Sequence, residues 1–332
     1  MKGTSLITGV NGHLGNNLLR NLLSKGINVR GTVRNLDDKS SFKDLDFTPI
    51  YADLHDKESL IKALQGVDIL YQVAAVFKLW TQNAERDIYE ANMLATKNIM
   101  KAAAETNVKK VVYVSSIAAM GRKTLPMNPD VYNDEKENVY YRSKIDSEKL
   151  AWKIAKEHNM DMVSVCPSAM IGEHCTKLTP SHNMLRMVLK KEVFVDSQFY
   201  INWVDVKDVA EGCYLAATNG KNGQRYGLGT SKAVGLTEII HLAQELFPEQ
   251  KIKTPFKMPK WMLNFSASFF EMMSKINGKE PILQKNQVRM YFKLRQDMDI
   301  SKSEQELGYS PTNPIVAIKK ALKFLNENKK IV

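Results

Sequence analysis

Tyr140-Tyr141-Arg142-Ser143-Lys144 sets a phenol four residues ahead of an ammonium. On a helix that spacing puts Tyr140 and Lys144 on one face, and a neighbouring cation draws a phenol's pKa down towards the working pH. Tyr140 is therefore expected to give or take the proton that balances hydride transfer at a carbonyl. Tyr141 lies about 100° further round the helix and reads as a packing or pocket residue. Taken alone, the spacing also fits an ordinary amphipathic helix. The odds change with Val112-Tyr113-Val114-Ser115-Ser116, which ends a strand-like run 24 residues before Tyr140, because ligands of open α/β sheets bind beyond the carboxyl ends of the strands. Ser116 is expected to hydrogen-bond the substrate carbonyl and hold it against Tyr140. Ser115 is the second candidate, or it satisfies local backbone groups.

A cofactor site is legible at the other end of the same half. Ser5-Leu6-Ile7-Thr8-Gly9-Val10-Asn11-Gly12-His13-Leu14-Gly15 places three glycines at three-residue intervals between a strand and a helix. Gly9 allows the tight turn, Gly12 the approach of a pyrophosphate, and Gly15 close packing of a helix whose N-terminus faces the phosphates. Gly9, Asn11, Gly12, His13 and Leu14 are the expected contacts. Next comes Val29-Arg30-Gly31-Thr32-Val33-Arg34-Asn35, where the Arg34 guanidinium suits a ribose 2′-phosphate and hence NADP(H), with Lys39 assisting. The alternative is ribose binding by Asp37 or Asp38, which would make the cofactor NAD. Asp53 and Leu54 follow the third strand, although Asp53 could equally cap the next helix. Ala74 and Ala75 end the fourth strand with side chains small enough for a cofactor to lie flat.

These residues need a scaffold, and the first half supplies an alternation of strands and helices. Ser5 to Thr8, Val29 to Val33, Pro49 to Ala52, Ile69 to Ala75, Lys110 to Ser115 and Met162 to Cys166 read as strands. Leu14 to Ser24, Lys57 to Leu64, Ile88 to Thr106 and Val139 to His158 carry apolar residues at three- and four-residue spacing, as helices packed on a sheet do. The predicted fold is α/β, a doubly wound parallel Rossmann sheet, with a smaller mixed substrate-binding subdomain. The predicted division is a 1–168 NADP-binding core and a 169–332 subdomain, with about 200–217 returning to the main sheet.

Composition sets limits on this scheme. The chain has 332 residues, 44% of them hydrophobic and 25% charged, which is enough for a full core. Cys166, Cys175 and Cys213 are too irregularly spaced for a disulfide framework or a CxxC metal site; a reducing, cytoplasmic setting is expected. His174, Cys175 and His182 match no zinc spacing and are expected to be neutral loop residues. The net charge of +11 is diffuse, without the basic run and interleaved aromatics of a nucleic-acid site. No apolar run reaches the roughly 18 residues of a spanning helix. Trp261, Met262, Phe265, Phe269 and Met273 form a helical stripe beside Lys257 and Lys260, expected to be subdomain core or a lid rather than a lipid-facing surface.

The pieces Thr8 to Gly15, Val73-Ala74-Ala75, Ser115-Ser116, Tyr140 to Lys144, Cys166-Pro167-Ser168-Ala169 and Trp203 to Ala210 occur in one order. In that order they resemble the extended short-chain dehydrogenases/reductases of the NAD-dependent epimerase/dehydratase family. Arg30 to Arg34 and Ser115 to Ala119 are similar to the dihydroflavonol and cinnamoyl-CoA reductase branch, and Phe77 to Trp80 followed by Ile88 to Asn92 is similar to a bacterial dihydroflavonol-reductase-like set that includes hopanoid-associated epimerase homologues. The resemblance implies NADP binding by Gly9, Gly12, Gly15 and Arg34, and catalysis by Ser116, Tyr140 and Lys144. It also implies cofactor contacts near Asp53, Ala74, Pro167 and Ser168, and a homodimer through the two long helices. Ala95 departs from the family's usual glycine, and Cys166 stands where arginine or asparagine is frequent; Asn92 is retained, as a brace or a water-relay residue.

Such an enzyme would take a small-molecule carbonyl substrate, apolar or aromatic, in a pocket formed by Phe77, Trp80, Ser116, Met170 and Trp203. Leu79, Met184 and Phe199 are further pocket candidates. Three other readings stay open. A nucleotide-sugar epimerase or dehydratase would need Arg186, Lys190, Lys191 and Arg225 for a diphosphate. A 3β-hydroxysteroid-dehydrogenase-like enzyme would act on a sterol or β-keto acid, and a non-catalytic NADP sensor would bind the dinucleotide without turnover.

Overall fold

The computed structural model describes residues 3–77, 81–278, 281 and 283–328. In chain order the elements of the first half are β1 (Thr4–Thr8), α1 (His13–Ser24), β2 (Asn28–Val33), β3 (Ile50–Tyr51), α2 (Lys57–Leu64), β4 (Ile69–Gln72), α3 (Ala91–Glu105), β5 (Lys110–Val114), α4 (Val139–Glu157) and β6 (Asp161–Pro167). Those of the second are β7 (Ala169–Ile171), α5 (Pro180–Leu189), β8 (Val195–Asp196), β9 (Tyr200–Ile201), β10 (Trp203–Asp205), α6 (Val206–Thr218), β11 (Arg225–Leu228), β12 (Val234–Gly235), α7 (Leu236–Leu246), β13 (Phe256–Lys257), α8 (Lys260–Asn277), α9 (Lys285–Tyr291) and α10 (Pro314–Glu327).

Seven parallel strands form the main sheet in the order β11-β6-β5-β4-β1-β2-β3. The order reverses between β1 and β4, which opens a crevice at the carboxyl ends of those strands. The inner strands β1, β5 and β6 are rich in β-branched residues and almost wholly buried, as parallel strands covered on both faces are. On one face Leu14, Leu18, Leu19 and Leu22 of α1 pack with Val209 and Cys213 of α6. On the other, Leu60 and Leu64 of α2 join Ile99 and Met100 of α3 and Ala151 and Ile154 of α4. A third core, among Leu185, Trp203, Ile239, Ile240, Ile318 and Leu322, holds α5, α7 and α10 together beside the sheet.

The stretch 200–217 divides. Helix α6 docks on the main sheet, but β10 pairs in parallel with β7 in a separate two-stranded sheet. The strand that completes the main sheet is β11, beside β6. The chain leaves β6 at Pro167 and enters β7 two residues later, so the edge available to β10 is β7.

The stripe on α8 is not core. Only Leu263 and Ala267 of this helix are buried, while Trp261, Phe265, Phe269 and Met273 are exposed. Helical spacing fixes which side chains share a face, not what that face meets, and nothing among the described residues covers this one. His182 lies within α5 rather than in a loop; it is buried, with its ring on Thr179 and Gly172. Trp80, with Lys78 and Leu79, lies outside the described residues.

Candidate active site

Helix α4 starts where the chemistry needs it. Asn138 is extended and its side chain accepts a bond from the Tyr141 amide at 3.1 Å, an N-cap that begins the helix one residue before Tyr140. Tyr140 and Lys144 then stand one turn apart with both side chains at one cavity of about 660 Å³. Strand β5 delivers Ser116 to the same cavity, and the Ser116 hydroxyl caps the short turn that follows by accepting from the Ala118 amide at 3.1 Å.

Burial governs the charges here. It pushes the Tyr140 phenol up to about 12; the Ser116 hydroxyl draws it partly back and Tyr291 adds to the rise. Burial also draws the Lys144 ammonium down, to about 8, while the carboxylate of Glu148, one turn along α4, holds it up. The lysine therefore loses its proton before the phenol does, and the downward pull expected of the ammonium acts only while Lys144 is charged. The ring of Phe77 covers Tyr140, with centroids 4.5 Å apart.

Beneath these residues lies a buried ion pair. Arg225 donates to Glu148 from Nε at 2.7 Å and from Nη2 at 2.9 Å, and the Ser115 hydroxyl donates to the same carboxylate at 2.6 Å. Ser115 is thus engaged in bracing rather than free for substrate, and Arg225 is unavailable for a diphosphate. A Lys144-to-Glu148 spacing of four was visible in the chain; the Arg225 partner, 77 residues on, has no local signal. Asn92 bonds the backbone of Val76 in both directions, at 2.8 and 3.0 Å, and donates to Ser143 Oγ at 3.2 Å. It therefore ties the segment bearing Phe77 to α4. Tyr291, on α9, lines the cavity and acts on both Tyr140 and Tyr141; its aromatic character gave no sign of that position.

The glycine loop fits a dinucleotide. Gly9 has φ +69, and a Cβ there would meet Ala74 Cβ at 2.9 Å; a Cβ on Gly15 would meet Gly9 O at 2.3 Å. Helix α1 has Gly12 at its N-cap position, with no side-chain cap and no acidic residue in its first turn, which leaves its first amides for an anion. Ser168 Oγ and His13 Nδ1 are buried without partners, and both residues line the cavity. Burial, then the neighbouring His182, holds His13 neutral with its pKa down at about 3.

Of the expected site residues, Gly9, Gly12, His13, Leu14, Ala74, Ala75, Phe77, Ser116, Tyr140, Lys144, Pro167, Ser168, Met170 and Trp203 line this one cavity. Asn11, Arg34, Asp53 and Leu54 do not. Arg34 is exposed and acts electrostatically on Asp53, whose carboxylate accepts from the His55 amide at 2.9 Å. The cap of α2 is Asp56, not Asp53. Among the described residues Lys144 is the only lysine, arginine, aspartate or glutamate lining the cavity, and Arg186, Lys190, Lys191 and Arg225 all lie off it. Among them, too, no three histidine, cysteine or acidic side chains gather as metal ligands.

A doubly wound sheet, a glycine cradle at its switch point and a serine, tyrosine and lysine at one cavity define a nicotinamide-dependent oxidoreductase fold. The chain belongs to the NAD dependent epimerase/dehydratase family, whose model matches residues 5–229, and within it to the extended short-chain dehydrogenases/reductases of the dihydroflavonol and cinnamoyl-CoA reductase branch. Cinnamoyl-CoA reductase 1 of Petunia hybrida is 32% identical over 75% of this chain and 78% of its own. Sterol demethylase protein B of Methylococcus capsulatus is 28% identical over 98% of each chain. The crystal structure of gox2253 superposes with a TM-score of 0.84 at 29% identity, covering 100% of both chains.

Proposed function

We propose that this chain is an NADP(H)-dependent reductase of a largely apolar ketone or aldehyde. The observation that carries the reading is the single cavity on which the glycine loop, Ser116, Tyr140 and Lys144 converge, with walls formed by Phe77, Met170, Met184, Phe199 and Trp203. A diphosphate-bearing sugar would need cationic groups there, and among the described residues the only lysine or arginine at the cavity is Lys144.

Bound NADPH supplies the hydride. The chain's own residues do the rest. Gly9, Gly12 and the first amides of α1 hold the pyrophosphate, and Ala74 and Ala75 leave room for the dinucleotide beside β4. Arg34, at the end of β2, is exposed and takes the 2′-phosphate. Ser116 donates to the substrate carbonyl oxygen and sets its direction. Tyr140, held protonated by burial, gives its proton to that oxygen as the alkoxide develops. Lys144 places positive charge behind the phenol as the proton leaves, which favours the phenolate. Phe77 and Tyr291 keep water from the phenol.

A sterol or β-keto acid is the second reading within the same chemistry. It is favoured by the apolar walls and by the likeness to Sterol demethylase protein B.

The test is consumption of reduced cofactor, followed spectroscopically, by the purified chain with NADPH or NADH and a panel of aromatic ketones, sterol ketones, β-keto acids and UDP-sugars. NADPH-dependent reduction of an apolar ketone is expected. Turnover confined to UDP-sugars, or binding of NADPH without oxidation across the panel, would overturn the reading.

A further inference from the structure

Helix α8 turns its largest apolar side chains outward. Trp261 is 71% exposed, Phe265 76%, Phe269 51%, Met272 53% and Ile276 74%. At about 100° per residue these five occupy an arc of roughly 80°. Leu263 and Ala267, the two buried residues of the helix, project from the opposite side. That inner side is the one that meets the active-site cavity, where Leu263 is a lining residue beside Leu283, Val288 and Phe292. One helix therefore has a face against the substrate cavity and a face of aromatic and long aliphatic groups against solvent.

Scattered exposed apolar residues need no explanation, but a contiguous ridge does. The chemistry of its border selects the occupant. Lys253 and Lys257 are exposed on the segment that leads into α8, Lys260 is exposed at its first turn with its ammonium over the Phe292 ring, and Lys275 is exposed one residue before Ile276 of the ridge; none has an ion-pair partner among the described residues. The one acidic residue of α8, Glu271, turns back to accept from the Lys285 amide at 2.8 Å. A second copy laid face to face would bring no free acidic group of α8 to meet these lysines. An anionic bilayer meets both features, with its acyl boundary taking the ridge and its headgroups the lysines. The net charge of +11 adds long-range attraction to such a surface. No helix among the described residues is long and apolar enough to cross a membrane, so the contact is interfacial.

We infer that α8 is an interfacial anchor that seats this protein on an anionic lipid surface, with the inner face of the same helix closing the cavity. A substrate dissolved in the bilayer would then reach the site beside Leu263 without crossing bulk water. Lipid binding itself does not depend on the reductase reading and is tested without turnover.

The experiment is co-flotation of the full chain with vesicles of phosphatidylcholine alone or mixed with phosphatidylglycerol, at low and high salt. Wild type is compared with the triple variant Trp261→Ser, Phe265→Ser, Phe269→Ser. All three side chains are at least half exposed, and an unchanged Tm certifies the fold of the variant. The expected result is binding to the mixed vesicles that weakens at high salt, and a loss of about tenfold or more in the variant. A Lys257→Gln, Lys260→Gln double variant should lose affinity for the mixed vesicles and leave the ridge intact. Absence of wild-type binding to phosphatidylglycerol vesicles, or equal binding by wild type and triple variant, would overturn the inference. So would a wild-type dimer that the triple variant abolishes, since the ridge would then be covered by a second copy.

Discussion

The aromatic ring of Phe77 lies over that of Tyr140, with centroids 4.5 Å apart, and this contact helps to keep the phenol out of water. Burial is the first cause of its high pKa, about 12. Removing the covering ring lets water reach the hydroxyl and favours the ionised form, so Phe77→Ala should lower the phenol's pKa. In the alcohol-oxidising direction, where a phenolate takes the proton, the rising alkaline limb of kcat/KM should move to lower pH in the variant. An unchanged limb would mean that the Phe77 contact does not control the phenol's solvation. Phe77 is 45% exposed, so its Tm should fall only slightly.

Lys144 is held near pKa 8 by two opposed effects, burial lowering it and Glu148 raising it. The protonated lysine is the form that assists the phenol, so the reduction rate should be steady at neutral pH and fall as the pH rises through about 8. Glu148→Gln removes the supporting charge and should move that fall to lower pH. It also leaves Arg225 buried opposite a neutral amide, at a cost of about 3 kcal/mol in unfolding free energy. Denaturant melts and a pH–rate profile read the two effects separately. A variant with wild-type stability would contradict the role given to the Glu148–Arg225 pair.

Arg34 is exposed at the end of β2 and free to turn towards a 2′-phosphate. A charge-assisted hydrogen bond to phosphate contributes roughly 1.5–3 kcal/mol. Arg34→Ala should therefore weaken NADPH binding by about tenfold to a hundredfold and leave NADH binding nearly unchanged. Fluorescence titration with each cofactor measures both. Equal losses for the two would remove Arg34 from the choice of cofactor.

Much of the site was legible in the chain because its parts are local. Three glycines between a strand and a helix specify a turn whose backbone has few alternatives, and α2 falls at the expected Lys57 and Leu64. The tyrosine-to-lysine spacing likewise fixes a shared helix face. Two things were not legible. The meeting of Glu148 with Arg225 spans 77 residues and depends on β11 reaching the sheet beside β6. The outward turn of α8 depends on which of two apolar faces the rest of the chain covers. Periodicity identifies a face; only tertiary packing decides its neighbour. The direction of the Tyr140 shift belongs with these, since spacing shows the nearby cation but not the degree of burial that outweighs it.

The most direct measurement is the steady-state rate of ketone reduction by Tyr140→Phe with saturating NADPH, alongside the affinity of the variant for NADPH. If Tyr140 gives the proton, kcat falls by roughly 10²–10⁴ while NADPH binding holds. A variant that reduces the ketone at the parental rate would contradict the account.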